Sequence, residues 1–407
     1  MGGFRRIGTT VMPVVIGIAA LAGIRPALAA ADFTIQAGAA HPTVPGSGYE
    51  YTRYFPSTLE VHRGQTVTWN ILGSGNNATG FHTVSFLPDG QERPALLRED
   101  EIPGTYAVPE AWSLPAGGCG QQGQDPCVLT DTQTFISSGV PPYNPGLAFS
   151  ATVDLAEGAY TYICTVHAAM QGTIEVVDEG TSLPTQAEID QLITSEIAAD
   201  TAAADAVVEE SSVPTFDVVD GQKVWRVLLG DSTPDDHVSM NQYLPGSLQI
   251  EQGDAVRYVF DDDIVNEIHT VSFPEQVSGG FSPLPHGTAG FGFQVRCELD
   301  DPAGGAPALP GLFIPGAMPC PGQYELGVAP WMTSQTRALQ DAVVSPLTVH
   351  DSGILVPQGA PPQFRNIPGA TSSTMPVGFQ AAFPAPGTFV YECNVHTEPM
   401  TGSITVT

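Results

Sequence analysis

The chain has 407 residues and a formal net charge of −30, with 43 acidic residues against 13 basic ones. That length suffices for two domains, each with its own core. A surface this acidic repels phosphate backbones and excludes nucleic acid as a partner class; it suits a basic protein partner or solubility in concentrated salt.

The first element is a leader. Arg5 and Arg6 precede an apolar run from about Val11 to Ile24, followed by small residues in an A-x-A pattern at Ala27 to Ala29. This order predicts a removable signal over 1–31, and the apolar run is short for a membrane span. The paired arginines hint at export of an already folded protein. No later stretch is apolar enough to cross a bilayer, so the expected location is periplasmic or extracellular. Cleavage removes Arg5, Arg6 and Arg25 and no acid, which leaves the mature chain more acidic still.

After the leader, one unit is written twice. "YFPSTLEVHRGQTVTW" (54–69) matches "YLPGSLQIEQGDAVRY" (243–258), "HTVSF" occurs at 82–86 and 269–273, and "GAYTYICTVH" (158–167) matches "GTFVYECNVH" (387–396). Three matches in the same order indicate duplication. Leu59 and Val61, then Val67 and Trp69, alternate with polar residues, as do Leu248 and Ile250, then Val256 and Tyr258. Period two with bounding Gly/Pro turns predicts an antiparallel β-sandwich in each copy. Between the copies, Thr185 and Glu188 form a capping-box pattern ahead of Ile189, Leu192, Ile193 and Ile197, which predicts a helix. The expected domains are 32–178 and 215–407, joined by a helical linker over 179–214.

Six cysteines fit an oxidising compartment. Cys119 with Cys127, and Cys297 with Cys320, lie in Gly/Pro-rich insertions, and two local disulfides are the simple reading, although spacing alone does not fix connectivity. Cys164 and Cys393 remain, each opening a C-x-x-H stretch.

A thiolate, two imidazoles and a thioether form a donor set with a specific preference. Soft sulfur with nitrogen selects copper, and two histidines, a cysteine and a weak axial methionine make a blue electron-transfer site. The first set is His82, Cys164, His167 and Met170; the second is His269, Cys393, His396 and Met400. Taken singly, a C-x-x-H or a methionine at a strand end is an accident or core filler. Their recurrence in order in both halves reverses that. Structural zinc sites rarely use methionine, covalent haem needs C-x-x-C-H, and a catalytic Cys/His pair asks for neither the methionine nor "HTVSF".

The pattern F/Y-x-P…L-x-V…G-x-x-V, H-T-V-x-F and Y-x-C-x-x-H-x-x(x)-M-x-G resembles the plastocyanin/azurin-type cupredoxins, the blue copper proteins. The resemblance covers the edges of each copy but not the insertions at roughly 90–135 and 275–350. It implies an all-β chain of two tandem Greek-key sandwiches with two type 1 copper ions. It also implies that His167 and His396 are partly exposed ligands, through which electrons pass.

The implied function is one-electron transfer with extracytoplasmic redox partners such as a c-type cytochrome or an oxidase. The alternatives are copper binding or delivery without catalysis, or docking within a larger redox complex. Two related enzyme classes fail on ligands. Multicopper oxidases need many more histidines, largely in H-x-H pairs, and none of His41, His62, His237, His286 and His350 forms one. Copper nitrite reductases need a histidine before the ligand cysteine, where Ile163 and Glu392 stand. The sequence therefore predicts a carrier and not an enzyme. Finally, Phe81, Thr83, Thr165, Val166, Ala168, Ala169 and Gln171 around the first set carry no charge. Glu267, Glu392 and Glu398 accompany the second, which predicts a lower potential there, with strand alternation turning Glu392 outward.

Overall fold

The structure is a computed structural model. It describes residues 32–44, 46–71, 82–94, 98–99, 106–107, 118–121, 123–139, 148–261, 268–273, 294–297, 309–310, 324–327, 340–343, 350–352, 355–357, 378–393, 396 and 400–407. Apart from one helix, the regular structure among these residues is β-sheet, most of it arranged as two sandwiches.

In the first sandwich one sheet runs Tyr54–Phe55, Phe33–Ala37, Thr66–Ile71, Ala148–Val153, Cys127–Leu129. The facing sheet runs Ile136–Ser137, Ser85–Phe86, Gly158–Ile163, Gln171–Val177, Thr58–His62. The second sandwich repeats the order. One sheet runs Val238–Leu244, Gln222–Ser232, Ala255–Val259, Gly378–Ala382, Gln340–Val343, and the other runs Ser247–Ile250, Thr401–Val406, Gly387–Glu392, Ser272–Phe273, His350–Asp351.

The sheets are mixed, not purely antiparallel as alternation led one to expect. Phe33–Ala37 runs parallel to Thr66–Ile71, and Thr58–His62 runs parallel to Gln171–Val177. Alternation reports which face of a strand is buried; it carries no information on the direction of its neighbour.

Between the facing sheets lie Trp69, Tyr54, Tyr162 and Phe149 in the first copy and Tyr258, Tyr243, Tyr391 and Phe379 in the second, all but fully buried. Tyr54 meets Tyr162 edge-on at 4.6 Å, and Tyr243 meets Tyr391 the same way at 4.7 Å. Such edge-to-face pairs add to the stabilisation from burial.

The sandwiches are not simply strung together. Tyr49–Tyr51, from the first half of the chain, lies at the edge of the second half's sheet and pairs antiparallel with Val238–Leu244. The helix Gln186–Ser211 begins at the anticipated capping box, with Thr185 and Glu188 bonded to each other's backbone. It is more than a spacer. Gln186 exchanges two hydrogen bonds with the Thr34 backbone, Tyr49 donates to Asp205, and Arg53 reaches both Glu196 and Asp200. None of the helices among the described residues is long and apolar enough to cross a membrane.

The glycine that closes each ligand motif is explained by packing. Gly172 pairs with Tyr162, and Gly402 with Tyr391, across adjacent strands. A Cβ at either glycine would stand 2.4 Å from the partner's ring. Overpacking at such a site costs roughly 1–3 kcal/mol. Gly172→Ala and Gly402→Ala are each expected to lower stability by that amount, read as a lower midpoint in chemical denaturation.

Candidate metal centre

Each donor set is assembled from opposite ends of its repeat. In the first, His82 precedes the short strand Ser85–Phe86, and Cys164 follows directly on the neighbouring strand Gly158–Ile163. The loop after Cys164 folds back on itself: the Cys164 N–H donates to the Met170 carbonyl at 3.0 Å, and the Met170 N–H donates to the His167 carbonyl at 3.3 Å. In the second copy the Cys393 N–H donates to the Met400 carbonyl at the same 3.0 Å. Both methionines and both cysteines are fully buried.

The donor atoms converge. His82 Nδ1 and His167 Nδ1 lie 3.1 Å apart, with Cys164 Sγ 3.5 Å from His167 Nδ1. In the second set His269 Nδ1 and His396 Nδ1 are 3.1 Å apart, with Cys393 Sγ at 3.9 Å and 3.6 Å. Within each triad all donor atoms fall within 4.8 Å of one another. Two imidazole nitrogens and a sulfur turned toward one buried point suit a single soft-to-borderline cation. With a methionine on the same loop, copper fits better than zinc.

The surroundings favour thiolate. The Thr83 N–H donates to Cys164 Sγ, and the Thr270 N–H to Cys393 Sγ, both at 3.3 Å. Burial pushes the Cys164 thiol up, but the charge and hydrogen bond of His167, with help from His82, outweigh it and hold the thiol well below its ordinary value. Cys393 is lowered too, by His396 against the effect of burial. The threonine of "HTVSF" thus has a physical role, and its carbonyl accepts from a buried tyrosine, Tyr54 in one copy and Tyr243 in the other.

Two residues that bear on the first set escaped sequence reasoning. Arg93, in the first insertion, donates through Nη1 to the Cys164 and His167 carbonyls and through Nη2 to that of Ala168 at 2.9 Å, clamping the ligand loop. Glu50 places Oε1 2.9 Å from His167 Nε2, and both side chains are almost wholly buried. Burial alone would raise the Glu50 carboxyl, yet His167 by charge and hydrogen bond, then His82 and His396 by charge, bring it down to about 2. An acid between two tyrosines in "YEY" was the available signal, since a strand buried along its whole length leaves an acid no solvent to face.

Other placements differ from expectation. His167 and His396 are each only 3% exposed, so they are not the partly exposed ligands that the resemblance implied; Glu50 from the domain junction covers His167. Glu392 is buried, not turned outward, because the end of its strand is covered where it pairs with Ser272. Glu267 and Glu398 lie outside the described residues. Cys119 and Cys127 form a disulfide. Cys297 lies on the strand Gln294–Cys297, and Cys320 lies outside the described residues. His41 is buried, its Nδ1 accepting from the Thr43 and Val44 N–H groups. Asp200, Asp235 and His237 also cluster, but Arg53 already contacts Asp200 and His237, and a fixed cation disfavours a metal there.

Neither a protein-family model nor a curated protein matches the sequence. Among solved structures, the chain is similar to a copper-containing nitrite reductase from Thermus scotoductus, at 12% identity over 93% of this chain and 68% of that one, with a TM-score of 0.20. It is also similar to rusticyanin, at 13% identity over 51% of this chain and 94% of that one, TM-score 0.16. A third similarity is to a multicopper oxidase, at 12% identity over 92% and 85%, TM-score 0.17.

One expectation is corrected by these matches. The similar structures include nitrite reductases and multicopper oxidases, which are enzymes, so the expectation of a carrier and not an enzyme does not stand. The physical reason lies in what a histidine count can exclude. It rules out particular histidine-rich clusters, not catalysis of every other kind.

Replacing Arg93 isolates the clamp on the first ligand loop. Arg93→Met keeps most of the apolar stem and removes charge-assisted bonds to three carbonyls, a loss of about 2–4 kcal/mol. Chemical denaturation should show that loss as a lower midpoint.

Proposed function

We propose that the chain binds two copper ions in type 1 sites and works by one-electron transfer. His82, Cys164 and His167, with Met170 as a weak axial donor, would hold one ion; His269, Cys393 and His396, with Met400, would hold the other. The observation that carries this reading is the double occurrence of a buried thiol facing two imidazole Nδ1 atoms. Copper in such a site supplies a one-electron couple with little need for rearrangement.

The chain's own residues supply the rest. Strands of a packed sandwich fix the cysteine and the upstream histidine, so the donors have little freedom to follow a change in metal charge. Thr83 and Thr270 place an N–H on each sulfur, which stabilises thiolate and tunes its donor strength. The aromatic layer beneath each loop excludes water. Export and extracytoplasmic redox partners, such as a c-type cytochrome or an oxidase, complete the proposal, and the acidic surface suits a partner with a basic face.

Copper quantitation with visible and EPR spectra on the purified chain tests the proposal. The expected result is two coppers per chain and an intense thiolate-to-copper band at ~600 nm. Cys393→Ala should retain one copper and about half of that absorbance. A chain that takes up no copper, or a colourless copper-loaded one, would falsify it.

A further inference from the structure

The repeat and the strand pairing together define a local symmetry. Tyr54 corresponds to Tyr243, so counting back along both copies Tyr49 corresponds to Val238, Glu50 to Ser239 and Tyr51 to Met240. The observed antiparallel register joins Tyr51 to Val238, Glu50 to Ser239 and Tyr49 to Met240. Glu50 therefore pairs with its own counterpart while Tyr49 and Tyr51 pair with each other's counterparts, so a local twofold axis passes between Glu50 and Ser239. At that axis the two copies differ: one contributes a carboxylate, the other a hydroxyl.

The carboxylate is committed to the first donor set but lies near both. Its Oε1 stands 2.9 Å from His167 Nε2, and its Oε2 accepts from Asn241 Nδ2 at 3.2 Å. His167 turns its other nitrogen, Nδ1, toward the donor triad. Glu50 also lies within electrostatic reach of His82 and of His396, a ligand of the second set. It is 3% exposed and Asn241 is fully buried, so solvent screens this charge weakly.

We propose that Glu50 is a positioning residue shared by both metal sites, orienting His167 by direct contact and biasing both sites toward Cu(II), the first more than the second. The inference rests on the two-copper reading above. A fixed negative charge stabilises the more positive oxidation state, and its effect falls with distance. Direct contact with a ligand ring therefore outweighs the through-space effect on the other set. The order of potentials then runs opposite to the one expected from Glu267, Glu392 and Glu398. The inequality originates at the axis, where the duplicated halves differ: Glu50 of one faces Ser239 of the other.

The test compares potentials with and without this charge, one site at a time. Cys393→Ala leaves the first site and Cys164→Ala the second, each read by spectroelectrochemistry on the full copper-loaded chain. Added to either background, Glu50→Gln keeps the size of the side chain and its acceptor for Asn241. It should raise both potentials, with a shift at the first site on the order of tenfold in the Cu(II)/Cu(I) ratio, ~59 mV for a one-electron couple, and a smaller shift at the second.

A swap of Glu50→Ser with Ser239→Glu moves the carboxylate to the other side of the axis, and the larger bias should move to the second site. The swap also keeps the test decisive if Glu50→Gln does not fold. Folded, copper-loaded variants with unchanged potentials overturn the inference while leaving the two-copper reading intact, and so does a swap that leaves the order unchanged. A wild-type chain without copper overturns both.

Discussion

The arrangement of the whole molecule depends on one short stretch of backbone pairing, Tyr49–Tyr51 against Val238–Met240. It carries a strand from the first half of the chain onto the second half's sheet. The side chains on that strand are then used on every side. Tyr49 and Tyr51 bond through their hydroxyls to Asp205 and Thr201 of the helix, and Glu50 reaches His167. Three residues thus tie the helix, both sandwiches and one candidate ligand into a common frame. Backbone hydrogen bonds fix such a register because a one-residue slip would turn Glu50 away from His167 and bring a tyrosine in its place.

Within each sandwich the donor set follows from how the sheet ends are built. The upstream histidine and the cysteine sit just beyond the ends of adjacent strands, and the loop between cysteine and methionine is closed by its own backbone bonds. The ring of Tyr162 or Tyr391 lies across from a glycine that leaves room for it. The donors are thereby held by packing and by bonds from Thr83 and Thr270, not by the metal alone. Preorganisation of this kind is what a site needs if its metal is to change charge without changing shape.

Much of this could be read in the residues, and the limits have physical causes. The eight candidate ligands were visible because each type recurs in order in both halves, and the structure brings His82, Cys164 and His167 together, as it does His269, Cys393 and His396. The helix was visible because Thr185 and Glu188 mark its start locally. Strand direction was not visible, since parallel neighbours such as Thr58–His62 and Gln171–Val177 are joined only through distant chain. Glu50 and Arg93 were missed for the same reason. Their roles depend on partners far along the chain, His167 and the 164–168 loop, and no repeat announces them because Glu50 corresponds to a serine. The burial of Glu392 was misjudged because alternation describes the middle of a strand, while its end meets further covering structure.

The central claim is that each Cys/His/His triad is a copper site held by the fold. Anomalous diffraction at the copper edge, on crystals of the copper-loaded full chain, addresses it most directly. Two peaks are predicted, one within bonding distance of Cys164 Sγ and the Nδ1 atoms of His82 and His167, the other likewise at Cys393, His269 and His396. A single peak, or copper bound elsewhere with the triads bypassed, would contradict the account.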